Sequence, residues 1–213
     1  MHFLSPLLES YIANNSQDEP KILRELTKET HLKVLQPRMI TGHFQGRVLS
    51  LLSKIIAPNT ILEIGTYTGY SAICLAEGLV KGGILHTIDV NEELQGIQRR
   101  YFDKSGFGTQ IIQHTGDALK IIPNLNVVFD LIFIDAEKAC YDAYFEAVLQ
   151  KTKAGSIILS DNVLWSGKVV EPLEPKDKVT KLLLDYNQKL KNDSRVETVL
   201  LPIRDGLTLT RVL

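Results

Sequence analysis

The sequence predicts an α/β fold: a mostly parallel sheet with helices on both faces and an antiparallel strand pair at the C-terminal end. Three observations carry this. Short apolar runs alternate with helix-like segments from Ile61 onward, the rhythm of β-α-β units. One run, Ile61-Leu62-Glu63-Ile64, passes through Gly65 and Gly69 into a helical segment at 70–79, which reads as strand, glycine loop, helix. The last two strand-like runs, 196–201 and 207–212, are joined only by Pro202-Ile203-Arg204-Asp205-Gly206, too short for a parallel crossover.

The elements follow in order. Residues 5–14 and 19–30 read as amphipathic helices, the first with Leu7, Leu8, Tyr11 and Ile12 on one face and the second starting near Pro20. They precede the β/α alternation, so residues 1–35 are expected to form an N-terminal helical cap and 36–213 the main domain, the whole being one globular unit. The cap could cover a site, join a subunit interface or close a sheet edge. A loop at 36–42 leads to a helix at 44–56 with an apolar face of Phe44, Val48, Leu51, Leu52 and Ile55, stopped by Pro58-Asn59. Strands then read at 84–89, 110–114, 129–135 and 156–160, with helices at 91–105, 118–122, 141–152 and 177–192. The near-continuous apolar run FDLIFID suits a strand buried on both faces.

Composition narrows the function. A length of 213 residues, 44% hydrophobic and 23% charged, is ordinary for a globular domain. A net charge of −1 offers no electrostatic pull toward nucleic acid or anionic membrane. Cys74 and Cys140 have no metal or disulfide spacing. The N-terminal stretch lacks the basic region and apolar core of a secretion signal, and no apolar run reaches about 18 residues. A cytoplasmic protein is expected.

The chemistry gathers at strand ends. Glu63 with its glycine loop, Asp89, Asp135, and Asp161 beside Asn162 each close a strand, and in a parallel sheet such ends share one rim. One acid there is often just a helix cap; several like charges together call for something cationic. The loop spacing is G-x-x-x-G, with Tyr67 where a dinucleotide fingerprint has its second glycine. A phenol there leaves no room for a pyrophosphate, which suits a nucleoside ligand better than NAD. Glu63 inside an apolar strand needs a partner. Asp89 follows Gly65 by 24 residues, a spacing that can reach ribose hydroxyls. Gly116-Asp117-Ala118 could line an adenine pocket. Asp135, Asp161 and Asn162 offer hard oxygen donors, favouring Mg²⁺, Mn²⁺ or Ca²⁺. Lys138, three residues past Asp135, lies on its side if the chain turns helical there; near a dication it could serve as a base.

These motifs together resemble the cation-dependent class I S-adenosylmethionine O-methyltransferases, a family that includes catechol and caffeoyl-CoA O-methyltransferases and small bacterial relatives. The matching segments are LEIGTYTGYSA at 62–72, IDVNEE at 88–93, GDAL at 116–119, FIDAEK at 133–138, SDNVLWSGKV at 160–169 and RDGLTL near the C-terminus. The resemblance implies a Rossmann-like, doubly wound sheet. It implies Asp135, Asp161 and Asn162 as metal ligands and Lys138 as the residue that takes the acceptor's proton. Thr41, Glu63, Gly65, Thr66 and Ser71 resemble contacts to the methionine part, Asp89 the ribose acid, and Ala118 and Glu137 residues near the adenine and amino-acid ends, with Asp135 serving the cofactor as well as the metal. Ala136-Glu137 stand where the animal catechol enzyme has His-Trp, and the insertion loop of the plant enzymes is absent or much shorter. The reading is therefore methyl transfer from S-adenosylmethionine to a small catechol-like phenol, with Mg²⁺ the first-choice dication, no membrane or nucleic-acid partner, and a homodimer expected from the family. Alternatives are a tRNA hydroxyuridine methyltransferase of the same fold and a non-catalytic nucleoside-binding protein.

Overall fold

The structure, a computed structural model, describes residues 5–213; the first four positions of the expected cap lie outside the described residues. The chain divides into two compact units, one ending at Asp117 and one beginning at Ala118.

The N-terminal unit contains helices α1 (Pro6–Asn14), α2 (Lys21–Lys33) and α3 (His43–Ile56), then β1 (Thr60–Ile64), α4 (Tyr70–Ala76), β2 (Ile84–Asp89), α5 (Gln95–Ser105) and β3 (Ile111–Thr115). The three strands lie in the order β3-β2-β1, all parallel, with Ile61 opposite Leu85 and Leu85 opposite Ile111. Ser5 caps α1, its hydroxyl accepting from the Leu8 amide. Helix α2 starts after Pro20, runs three residues beyond the predicted end, and buries Leu23, Leu26 and Thr30. Its Glu29 accepts from Arg100 at 2.6 Å and Tyr101 at 2.9 Å, both on α5. Helix α4 is short, and all seven of its residues are buried.

Helix α3 corrects the sequence reading. Its buried residues are Gln45, Gly46, Leu49, Ser50 and Ser53, not the apolar stripe, of which Leu51 is 60% and Ile55 72% exposed. Small residues let α3 and α4 approach closely. A Cβ on Gly46 would stand 2.5 Å from the Tyr70 ring, and one on Gly78 would stand 2.2 Å from the Ser53 backbone. Polar bonds complete the contact. Glu77, just past α4, accepts from both Nη atoms of Arg47 at 2.9 Å, from Ser50 at 2.6 Å and from Lys54 at 2.9 Å.

The C-terminal unit contains α6 (Ala118–Ile121), β4 (Leu131–Ile134), α7 (Tyr141–Leu149), β5 (Ile157–Asp161), α8 (Lys178–Asn192), β6 (Val196–Leu201) and β7 (Leu207–Val212). Strand β4 is parallel to β5, and β5 and β6 both run antiparallel to β7. Every residue of β4 is buried, as expected of a strand covered on both faces. Asp177 caps α8, accepting from the Thr180 amide at 3.0 Å, and the helix buries Leu183, Tyr186 and Leu190. The predicted class, α/β with mostly parallel pairing and an antiparallel C-terminal pair, is the class observed. Cys74 and Cys140 are free thiols. Among the described residues no helix is long and apolar enough to cross a membrane.

Candidate active site

In the N-terminal unit the glycine loop between β1 and α4 is held open by backbone geometry and closed by one carboxylate. Gly65, Tyr67 and Gly69 all have left-handed φ, at 97°, 49° and 94°. Only glycine takes such angles without strain, so Tyr67 must be held there. Asp89, at the end of β2, does this: its Oδ2 accepts from the amides of Thr66 at 3.0 Å and Tyr67 at 2.7 Å, and its Oδ1 from the amide of Asn91 at 2.9 Å. The expected ribose acid thus also braces the loop; of its roughly four lone-pair sites, three are engaged. The Tyr67 phenol donates to the Gln36 carbonyl at 3.1 Å, tying the loop to the segment before α3.

Glu63 is fully buried. The Thr87 hydroxyl donates to it at 2.5 Å, and the hydroxyls of Thr66 and Thr87 stand 2.5 Å apart. A buried carboxylate requires such donors. The structure therefore brings Glu63, Gly65, Thr66 and Asp89 into one connected cradle. Ser71 lies in the first turn of α4, and Thr41 just before the Gly42 that opens α3; both are buried.

In the C-terminal unit Asp135 directly follows β4 and Asp161 ends β5. Ile134 pairs with Ser160, so the register sets Asp135 opposite Asp161 on adjacent strands, which lie roughly 4.8 Å apart. Asn162 follows in a left-handed conformation, φ 58°, its amide donating to Asp161 Oδ1 at 2.8 Å. Lys138, 9% exposed, donates from Nζ to Asp135 Oδ1 at 3.0 Å and to the Tyr141 hydroxyl at 2.8 Å. That hydroxyl lies 2.8 Å from the Asp161 carbonyl and 3.2 Å from the Ile134 carbonyl. Burial, then the Asp135 and Asp161 carboxylates, push the Tyr141 phenol far above its usual range. Ala118 is buried at the start of α6. Glu137 is exposed and caps a short turn, accepting from the Ala139 amide at 3.4 Å.

The donor set suits a hard dication. Two carboxylates sit at adjacent strand ends with an amide next in sequence, all oxygen donors, and the cation that stands beside Asp135 is the Lys138 ammonium. Among the described residues no three of His, Cys, Asp and Glu form a metal cage; the expected set needs none, since its third member is the Asn162 amide. Tyr141 and Asp205 were not singled out from sequence. Tyr141 lies three residues past Lys138, the helical spacing that puts side chains on one side. Asp205, in the β6–β7 turn, accepts from the Ser166 amide at 2.5 Å through its side chain and from the Leu164 amide at 2.9 Å through its carbonyl.

A parallel strand, a glycine loop closed by the next strand's acid and a helix behind it form the nucleoside-binding corner of a doubly wound α/β fold. The chain belongs to the O-methyltransferase family, whose sequence profile matches residues 13–213. It is 33% identical over 220 residues to the caffeoyl-CoA O-methyltransferase of Petroselinum crispum, covering 97% of this chain and 91% of that one. It is 35% identical over 217 residues to caffeoyl-CoA O-methyltransferase 1 of Zea mays, covering 96% and 84%. Among solved structures, the O-methyltransferase of Bacillus cereus in complex with SAH superposes with a TM-score of 0.90 at 30% identity, over 97% of both chains. TomG of Streptomyces achromogenes, an O-methyltransferase of tomaymycin synthesis in complex with SAM, gives 0.88 at 28%, over 97% and 96%.

Proposed function

We propose that the chain methylates one hydroxyl of a small vicinal dihydroxy aromatic acceptor, with a divalent cation held by Asp135, Asp161 and Asn162. The observation that carries this reading is the buried Lys138 ammonium bonded to Asp135 in a strand-end group of hard oxygen donors. Relatives named for caffeoyl-CoA, whose caffeoyl group carries two adjacent phenolic hydroxyls, support it. When bound, the sulfonium supplies the methyl group and the dication acidifies the acceptor hydroxyl it touches. Lys138, as the neutral amine with its two N–H groups on Asp135 and Tyr141, takes the proton released from that hydroxyl onto its lone pair and becomes the ammonium. Glu63, Thr66 and Ser71 hold the methionine part of the donor, with Thr41 and the Gly65 backbone; Asp89 accepts from the ribose; Ala118, Glu137 and Asp135 complete the donor contacts. No protein nucleophile is required, and alignment of donor and acceptor can supply roughly 7–11 kcal/mol of the barrier reduction. Net charge of −1 argues against a tRNA acceptor, whose phosphates call for an excess of Lys and Arg.

The test is a panel of catechols and single phenols, assayed with S-adenosylmethionine and with or without EDTA. Methylation of the vicinal diphenols is expected, lost with EDTA and restored by Mg²⁺. Asp161→Ala is expected to lose Mn²⁺ binding and turnover while still binding SAH. Full activity of the wild type in excess EDTA overturns the proposal. We further propose a homodimer, supported by the outward apolar stripe of α3 and by the exposed Leu7 and Tyr11 of α1.

A further inference from the structure

We infer that Tyr141 is a positioning residue that aims the Lys138 amine, an inference that rests on the role proposed for Lys138. The argument starts from proton counting. A phenol has one proton to donate and also accepts. The Tyr141 hydroxyl has two carbonyls in reach, that of Asp161 at 2.8 Å and that of Ile134 at 3.2 Å. Both are backbone acceptors, so the phenol proton is committed to the ends of β4 and β5. What remains toward Lys138 is a lone pair, and Nζ donates into it at 2.8 Å.

The lysine is therefore fixed at two points, Asp135 Oδ1 and the Tyr141 oxygen. In the neutral amine those two bonds use both N–H groups, and the lone pair is left for the proton of the reacting oxygen. A lysine has four side-chain torsions, and their freedom must be given up before the amine can point one way. Tyr141 removes that freedom in advance. The phenol is itself immobile, being fully buried with its ring edge-on to Tyr186 at 5.4 Å. It gives and takes no proton in the reaction; it sets where the amine points.

Tyr141→Phe removes the hydroxyl and keeps the ring. We expect kcat on 1,2-dihydroxybenzene to fall about 10- to 100-fold, since an error of about 1 Å in placing a reacting group costs that order. Dissociation constants for Mn²⁺ and SAH are expected to stay within about threefold, and the melting temperature within a few degrees. A kcat within twofold of wild type overturns the inference. So does a loss of Mn²⁺ affinity in step with kcat, which would make Tyr141 a brace for the strand ends alone. A second readout needs no turnover: reductive methylation of Lys138 with formaldehyde and cyanoborohydride, followed by peptide mass spectrometry. Labelling is expected to be severalfold faster in Tyr141→Phe, and equal rates overturn the inference. This arm stands even if the wild type proves inactive on every diphenol, a result that would end the functional proposal only. If the Phe variant does not fold, 3,5-difluorotyrosine at 141 keeps ring and hydroxyl but weakens the acceptor; a severalfold lower kcat with unchanged melting is expected, and unchanged kcat overturns.

Discussion

Removing the Glu77 carboxylate tests how the helix behind the glycine loop is held. Glu77 satisfies four donors at 2.6–2.9 Å, two of them on Arg47. The Arg47 side chain is 11% exposed, whereas Lys54, at 49%, can return to water. Glu77→Ala therefore strands one buried guanidinium, a loss of about 3–5 kcal/mol. For a chain of this size each kcal/mol shifts the melting temperature by roughly 2–4 °C, so a fall of about 6–20 °C is expected by calorimetry at pH 7. The double variant Arg47→Met, Glu77→Leu removes both charges and is expected to recover most of that loss, because a buried pair replaced by apolar groups is often neutral. Acid provides a third arm. Burial works to raise the Glu77 pKa, but the bonds from Arg47, Ser50 and Lys54 outweigh it and hold it at about 2, below the ordinary 4.5. Its contribution is thus complete above pH 4.5 and lost as pH falls toward 2. Glu77→Ala should show a shallower decline of stability across that window. A drop of less than about 3 °C at pH 7, or a double variant as unstable as the single, refutes the reasoning.

Three further predictions concern other parts of the molecule. Gly69→Ala puts a Cβ at φ +94° and 2.6 Å from the Phe102 ring; left-handed strain alone costs roughly 1–2 kcal/mol, so a lower melting temperature and at least tenfold weaker SAH binding by calorimetry are expected. His86 and His114 share a 2.9 Å hydrogen bond on adjacent strands, and burial, with the neighbouring His114 for His86, lowers both pKa values below the ordinary 6.5. The folded state holds them neutral, so their contribution is complete above about pH 6.5 and falls below it; a His86→Gln, His114→Gln variant should lose less stability than wild type between pH 7 and pH 5 in thermal melts. Leu51→Glu with Ile55→Glu places charge on the exposed stripe of α3 and is expected to convert the proposed dimer to monomer in light scattering without lowering the melting temperature of the monomer.

Where local pattern and tertiary packing agreed, the sequence was legible. The bounds of β6 and β7 match those expected, and their antiparallel pairing follows from the short turn between them. Glu63, Asp89, Asp135 and Asp161 stand at or beside strand ends as expected. Helix α3 was misread because apolarity marks burial only when side chains fill the space. Here Gly46, Ser50 and Ser53 let backbones approach closely instead, while Leu51 and Ile55 face outward and Phe44, Val48 and Leu52 are half-buried. Asp89 was read for its ribose, and its hold on the Thr66 and Tyr67 amides was invisible because it depends on a left-handed Tyr67 that no propensity favours. The stretch after β5 has no periodicity to read. Its Asn162, Trp165 and Ser166 all take positive φ, a shape imposed by bonds to residues some forty positions away.

Those bonds have a practical corollary for grafting experiments. The amides of Val163 and Leu164 rest on the carbonyls of Gly206 and Asp205, and that of Ser166 on the Asp205 side chain. A Cβ on Gly206 would stand 2.5 Å from Leu164. The two segments are therefore one module written in two places along the gene. A chimera that imports residues 162–170 from a relative must import 204–206 with them, or the transplanted loop arrives without the hairpin that shapes it.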